Sequence, residues 1–274
     1  MNDAVVYRPF FEYSGTALEC TSCSARLHWG IAMMNLDFPS LGVALAMFIA
    51  AFTQAVTGFG SALVGMPLLS QFVGVKTGAP LMALLSLGLN LGLLLIQRQA
   101  FRWRDVRGLV IAAIVGIPIG IVAIAALSER VVLIGLGILL IGYALYAWIT
   151  PRLPELKHPA WSFLFGFASG ILAGGYNVGG PPAVIYGACK RWEPNEFRSN
   201  LQLLFLLENI FVLAGHLWQG NFTREVLNLL WFAVPALIVG IGAGVILDRF
   251  IPDALFRKIV LALLLGLGAR LLLS

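Results

Sequence analysis

Hydrogen-bond donors gather at two glycine-rich interruptions of an otherwise apolar sequence. The first interruption contains Gly58 and Gly60, and the second contains Gly179 and Gly180. A helix that restarts after each interruption adds unpaired backbone N–H groups to these neutral side-chain donors. We therefore predict a polar ligand site shared by both interruptions, although each side chain could instead bond to its own helix or loop. The donor side chains are Gln54, Thr57, Ser61, Tyr176 and Asn177.

Four more polar residues lie within or at the end of apolar runs. Asn90 and Asn209 occupy equivalent places in the two halves, where they either flank the ligand or join neighbouring helices. Glu208 is the acidic residue inside such a run, and buried carboxylates commonly relay protons. We predict proton coupling through Glu208, with His216 about two turns along the same helix face. The alternative is a structural network of Glu208 with His216 or Gln202.

The composition places these residues in a membrane. Of the 274 residues, 59% are hydrophobic and 11% are charged, against about 25% charged residues in a soluble domain. Mean hydropathy is +0.91. These values exclude an ordinary cytosolic enzyme, a disordered protein and a nucleic-acid-binding protein, and they predict an all-α polytopic membrane protein.

Apolar runs define the expected helices. Six runs have about 20 residues, enough to span a bilayer, and four shorter ones form two pairs separated by residues 57–60 and 174–182. Such interruptions survive at membrane depth only where they line a polar cavity or are buried in protein. Close packing through small residues is the alternative explanation. The runs are 41–56, 61–75, 78–97, 108–127, 131–149, 161–174, 180–189, 199–217, 226–247 and 254–273.

The two halves of the sequence resemble each other. A shift of 119 residues superimposes Gly58 on Asn177, Gly60 on Gly179, and Asn90 on Asn209. The pattern predicts two inverted-topology repeats, each with a short broken-helix hairpin and three full spans. The predicted divisions are an N-terminal arm (1–40), a first repeat (41–150), a cytoplasmic linker (151–160) and a second repeat (161–274).

Charge distribution selects the topology. If each short pair enters the membrane and returns to the same side, most of the basic residues lie on the opposite side. If each pair is instead one broken span, the basic residues divide equally between the two sides. The positive-inside rule therefore favours re-entrant pairs, with both termini extracytoplasmic. Arg191 and Arg198, close to the second interruption, are candidates for an entry funnel on the cytoplasmic side. The basic side holds Arg98, Arg102, Arg104, Arg107, Arg152, Lys157, Lys190, Arg191, Arg198, Arg249, Arg257 and Lys258, and the other side holds Lys76, Arg130, Arg224 and Arg270, with Arg8 and Arg26 in the N-terminal arm.

Particular motifs resemble the TauE/SafE family of sulfite and organosulfonate exporters. They are Thr57-Gly-Phe-Gly60 followed by Met66-Pro67-Leu68-Leu69, and Gly179-Gly-Pro-Pro182 with Tyr186. The resemblance covers residues 40–274 and departs from the family at Ser61 and at Asn177, where the family often has glycine. It implies ion-gradient-driven transport of a small oxyanion or organosulfur anion across the cytoplasmic membrane. Export is the expected direction.

Other functions and partners were weighed beside this one. Cys20 and Cys23 with His28 hint at a metal site, but two thiols in a terminal arm are the simpler interpretation. An enzyme using Ser61 and His216 is disfavoured, and a cation transporter would require more buried carboxylates. We expect no cofactor, no nucleic-acid partner, lipid contact and a small anionic substrate. The small-residue runs 116–120 and 240–244 suit either internal packing or a homodimer.

Overall fold

The computed structural model describes residues 38–97, 102–149, 154–156, 158–250 and 252–273. Within these ranges the chain forms nine α-helices and one short 3₁₀ turn (Asp248–Phe250), with no strand. The N-terminal arm up to residue 37, including Cys20, Cys23 and His28, lies outside the described residues. The helices are α1 (Phe38–Thr57), α2 (Ser61–Gln97), α3 (Trp103–Ala126), α4 (Glu129–Ile149), α5 (Ala160–Tyr176), α6 (Gly180–Cys189), α7 (Pro194–Trp218), α8 (Arg224–Leu247) and α9 (Asp253–Leu273).

In the part of the chain that the structure describes, six helices are long and apolar enough to cross a membrane, namely α1, α2, α3, α4, α7 and α8. Their outer faces carry large apolar side chains, such as Val122, Ile138 and Trp231, each at least 60% exposed. Exposed apolar surface on this scale suits lipid rather than water. The predicted all-α multi-pass membrane fold is therefore confirmed.

The predicted runs 61–75 and 78–97 lie in α2, which consists of two helical segments separated by a kink. Its helical path is interrupted at Gly74, with φ 71° and ψ 170°. Glycine adopts this backbone conformation without the steric cost that a side chain imposes. The backbone N–H of Val75 just after the kink donates to Glu129 Oε1 at 3.1 Å, which satisfies a group that the kink leaves without its helical partner. Gly74 therefore divides α2 close to the boundary predicted between the two runs.

The second interruption is shorter than predicted. Helix α5 continues through Gly174 and Gly175 to Tyr176, and α6 begins at Gly180, so residues 177–179 alone form the break. A Cβ at Gly174 would collide with the backbone of Ile117, which shows that this glycine permits helix contact. The assignment of residues 174–176 to the break was wrong because glycine also marks close helix packing.

Long helix pairs join the two halves of the sequence. Helix α1 packs along α8, α5 packs along α3, and α4 packs along α9. The α3–α5 contact buries Gly116 and Gly120 against the backbone of α5, and the α1–α8 contact buries Gly240 and Gly244 against α1. The glycines of both small-residue runs thus serve internal packing.

Candidate functional site

The two interruptions have related backbone geometry. Gly58 has φ 81° and Asn177, which lies 119 residues further along the chain, has φ 59°. Asn177 ends α5 in the left-handed conformation, where its N–H donates to the Ala173 carbonyl at 2.8 Å. Asparagine is among the few residues that tolerate this region. The departure from glycine at position 177 therefore preserves the turn and adds a side-chain amide.

A small polar cavity of about 30 Å³ lies where the interruptions meet. It is enclosed by residues from α1, α2, α5, α6 and α7, so both halves of the sequence contribute to it. Nine of the residues predicted for the site line this cavity: Gln54, Gly60, Ser61, Asn90, Asn177, Gly179, Gly180, Glu208 and Asn209.

Gln54 joins three elements at one edge of the cavity. Its Nε2 donates to Asn90 Oδ1 at 2.5 Å and to Gln202 Oε1 at 3.1 Å, and its Oε1 accepts from the Ser61 hydroxyl. Gln202 Nε2 in turn donates to the Gly58 carbonyl at 3.0 Å. Side-chain amides therefore hold the first interruption against α7, together with Arg198, whose Nη2 donates to the Val56 carbonyl at 3.2 Å.

Glu208 forms the equivalent link at the second interruption. Its Oε1 lies 2.7 Å from the Ser169 hydroxyl, which lies 2.8 Å from the Gly179 carbonyl. The carboxyl group also packs against Gly179, where an added Cβ would stand 2.6 Å from Glu208 Oε2. The second interruption is thus built around a buried carboxyl group that touches the backbone of the loop.

Three buried polar atoms that line the cavity lack a hydrogen-bond partner among the described residues. They are Ser86 Oγ, Asn177 Nδ2 and Asn209 Oδ1. Asn209 does use its Nδ2, which donates to the Phe205 carbonyl at 2.9 Å. Because buried polar groups are rarely left unpaired, these atoms indicate a site for a polar ligand.

The helices that restart at the cavity differ in the donors they offer. The first intrahelical bond at the start of α2 joins the Val64 N–H to the Gly60 carbonyl, so the N–H groups of residues 61–63 precede the helical ladder. In α6, Pro181 and Pro182 occupy the first turn and carry no N–H. The start of α2 therefore offers more backbone donors than the start of α6.

Four predicted site residues lie outside the polar cavity. Thr57 donates to the carbonyl of Thr53 at 2.8 Å, and Gly58 contributes its carbonyl to Gln202. The hydroxyl of Tyr176 packs against Gly135, and His216 contacts Asn221 at 2.9 Å. Among these, Thr57 lines a second cavity.

The second cavity is larger, about 510 Å³, and we call it the vestibule. It lies between the C-terminal ends of α1, α4 and α6 and the N-terminal parts of α7 and α9. The ends of α4, α6, α7 and α9 adjoin loops that the charge pattern assigns to the cytoplasm. Gly60 and Leu63 line both cavities, so the vestibule leads towards the polar cavity. Arg198 lines the vestibule, whereas Arg191 is exposed beside it.

The sequence interpretation did not predict three residues of the site: Ser86, Ser169 and Gln202. Gln202 precedes Asn209 by seven residues, or about two turns, so both face the same side of α7. That spacing could have identified Gln202 as a residue of the site from the sequence. Ser86 and Ser169 carry no such signal, because single serines are common in apolar helices and pair with their own backbone.

Interrupted helices that meet at a polar cavity inside an all-α membrane protein are typical of membrane transporters. The chain matches the family described as Sulfite exporter TauE/SafE over residues 43–271, and it belongs to that family. It is therefore a transporter and not an enzyme. The resemblance of the interruption motifs to this family is confirmed.

A curated relative covers nearly the same length. The chain is 27% identical over 248 residues to a protein of Cupriavidus necator named "Probable sulfite/organosulfonate exporter TauE". The alignment includes 87% of this chain and 96% of the relative. No solved structure matches the chain.

Proposed function

We propose that the protein exports a small sulfur-containing anion, such as sulfite or a sulfonate, across the cytoplasmic membrane. Family membership and the name of the Cupriavidus necator relative support this substrate class. The basic loops face the cytoplasm in this proposal, and both termini face outward. The vestibule then receives the anion on the basic side of the membrane.

The observation that carries the proposal is the set of uncharged donors at the polar cavity. The Asn177 amide is unpaired and about nine-tenths buried, and the start of α2 presents backbone N–H groups beside Ser61. A tetrahedral or pyramidal oxyanion offers several acceptors, which such donors satisfy without burying a permanent positive charge. The donors come from both halves, so movement between the halves opens and closes the site.

Helix pairing supports the division into two repeats, 41–150 and 161–274. When the two segments of α2 are counted separately, the first helix of each repeat packs along the fourth helix of the other, as α1 with α8 and α5 with α3. A pseudo-twofold relation between inverted repeats produces such reciprocal pairing. The substrate site then lies at the repeat interface, where transporters built from inverted repeats place it.

Glu208 couples the substrate site to protons in this proposal. The Ser169 hydroxyl has one proton and two neighbouring acceptors, Glu208 Oε1 and the Gly179 carbonyl. When Glu208 is protonated, it donates to Ser169 and Ser169 donates to Gly179. When Glu208 is ionised, Ser169 turns to the carboxylate and the Gly179 carbonyl loses its partner. His216, near the end of the same helix, passes the proton outward.

Anion binding to the purified chain tests the proposed function. Thermal unfolding is recorded with sulfite, sulfate, thiosulfate, taurine, sulfoacetate, acetate and chloride from pH 5.5 to 8, because a ligand of the folded state raises its stability. We expect a sulfur oxyanion to stabilise the wild-type protein and to lose this effect in Asn177→Gly. Glycine keeps the left-handed turn and removes the amide, so the loss reports on binding.

Two outcomes would contradict the proposed substrate class or its binding site. Stabilisation by sodium or another cation, with none from any anion, would favour a cation transporter and refute the proposed substrate class. Stabilisation by the same anion in Asn177→Gly would place the binding site away from the second interruption.

A further inference from the structure

The vestibule combines apolar walls with a positively charged side chain. Phe59, Phe197, Phe256 and Leu264 supply apolar surface. Among the described residues that line this cavity, Arg198 is the one with a charged side chain. A cavity of about 510 Å³ with apolar walls and one guanidinium suits an anion that carries an apolar body.

Arg198 is held by weak contacts that leave it available. Its Nη1 donates to Asp248 Oδ2 at 3.2 Å, and its Nη2 donates to the Val56 carbonyl at 3.2 Å. These bonds engage two of the five N–H groups of the guanidinium. About 30% of each side chain in the Arg198–Asp248 pair is exposed, and the pair makes one bond instead of the stronger bidentate contact.

We propose that Arg198 is the centre of a second anion subsite in the vestibule, which binds sulfonates with an apolar body by exchanging Asp248 for the sulfonate. The proposal rests on the proposed function, because the subsite takes the same class of anion before it reaches the polar cavity. Two sulfonate oxygens match the fork of the guanidinium better than the single Asp248 oxygen does. Asp248 repels the incoming anion and therefore sets the affinity of the subsite.

Benzenesulfonate separates this subsite from the polar cavity. Its ring fits the vestibule but not a cavity of about 30 Å³. Binding is measured by isothermal titration calorimetry on the purified full chain. We expect Arg198→Gln to weaken binding about tenfold or more, since a hydrogen-bonded charge is removed. Arg198→Lys keeps the charge without the fork and is expected to bind with intermediate affinity.

Asp248→Asn distinguishes loss of the subsite from misfolding of the protein. Loss of the competing carboxylate is expected to tighten benzenesulfonate binding about two- to fivefold, a gain that an unfolded protein cannot show. Arg224→Gln is the matched control, because it removes the same charge at an exposed position outside the vestibule lining. We expect its affinity to equal that of the wild-type protein.

Two results would overturn the subsite. One is absence of benzenesulfonate binding to the wild-type protein, and the other is equal affinity in wild type, Arg198→Gln and Asp248→Asn. Methanesulfonate, which is small, reports separately on the polar cavity through Asn177→Gly. If methanesulfonate binding survives that variant while benzenesulfonate follows Arg198, the proposed transport site fails and the subsite stands.

Discussion

Replacing Gly179 by alanine tests the contact between the second interruption and Glu208. Gly179 has φ −72° and ψ −10°, a conformation open to any L-residue, so alanine brings no backbone strain. The new Cβ would stand 2.6 Å from Glu208 Oε2 and 2.9 Å from Ser169 Oγ. Relieving these contacts requires the carboxyl group and the hydroxyl to move. Overpacking of this kind costs about 1–3 kcal/mol.

The matched control is Gly88→Ala. Gly88 lies in α2, and a Cβ there would meet no atom within 4 Å. Alanine is the better helix former by up to about 1 kcal/mol, so this variant is expected to match or exceed wild-type stability. Unfolding of both variants is followed in detergent by intrinsic tryptophan fluorescence as temperature rises.

A double-mutant cycle identifies the source of the loss. In a Glu208→Ala background the atom nearest to the new Cβ is gone, so the cost of Gly179→Ala is expected to fall by about half or more, since neighbouring residues couple. Equal stability of Gly179→Ala and the wild-type protein would refute the packing described here. An unchanged cost in the Glu208→Ala background would show that the carboxyl group is not the obstacle.

Three further predictions concern the hydrogen-bond network, the helix contact and proton coupling. Gln54→Leu leaves Asn90 and Gln202 with unpaired buried groups, and we expect about 2–5 kcal/mol lower stability by thermal unfolding in detergent. Gly174→Ala is expected to prevent α5 from packing on α3 and to lower the yield of monodisperse protein by size-exclusion chromatography, whereas alanine at position 242, where a Cβ meets nothing, leaves the yield unchanged. Glu208→Gln, which imitates the protonated acid, is expected to abolish the pH dependence of vesicle transport; retention of that dependence would exclude coupling through this residue.

The sequence predicted most of the helices because hydropathy and helix length are one-dimensional properties. It also placed the first interruption correctly, since Gly58 and Gly60 both adopt positive φ. The predicted extent of the second interruption was wrong. Gly174 and Gly175 face α3 across a close helix contact, and sequence alone does not distinguish a glycine that breaks a helix from one that permits contact.

The residues of the candidate site were easier to predict where the 119-residue shift related two positions of the sequence. Asn90 and Asn209 were found through their equivalence, and the structure brings both to one cavity. Tyr176 is the last residue of α5, and its hydroxyl packs against Gly135 outside the polar cavity, although it directly precedes Asn177. Which polar side chains share a cavity depends on helix rotation and on partners distant in sequence, as in the 148-residue separation of Gln54 and Gln202.

Efflux of radiolabelled sulfite from proteoliposomes tests the central claim, that a transported anion occupies the cavity between the two interruptions. We predict saturable efflux through the wild-type protein and through Gly88→Ala, and efflux reduced at least about tenfold through Asn177→Gly, because a buried hydrogen bond to a charged ligand is lost. Efflux through Asn177→Gly at the wild-type rate, or no efflux through the wild-type protein, would contradict the claim.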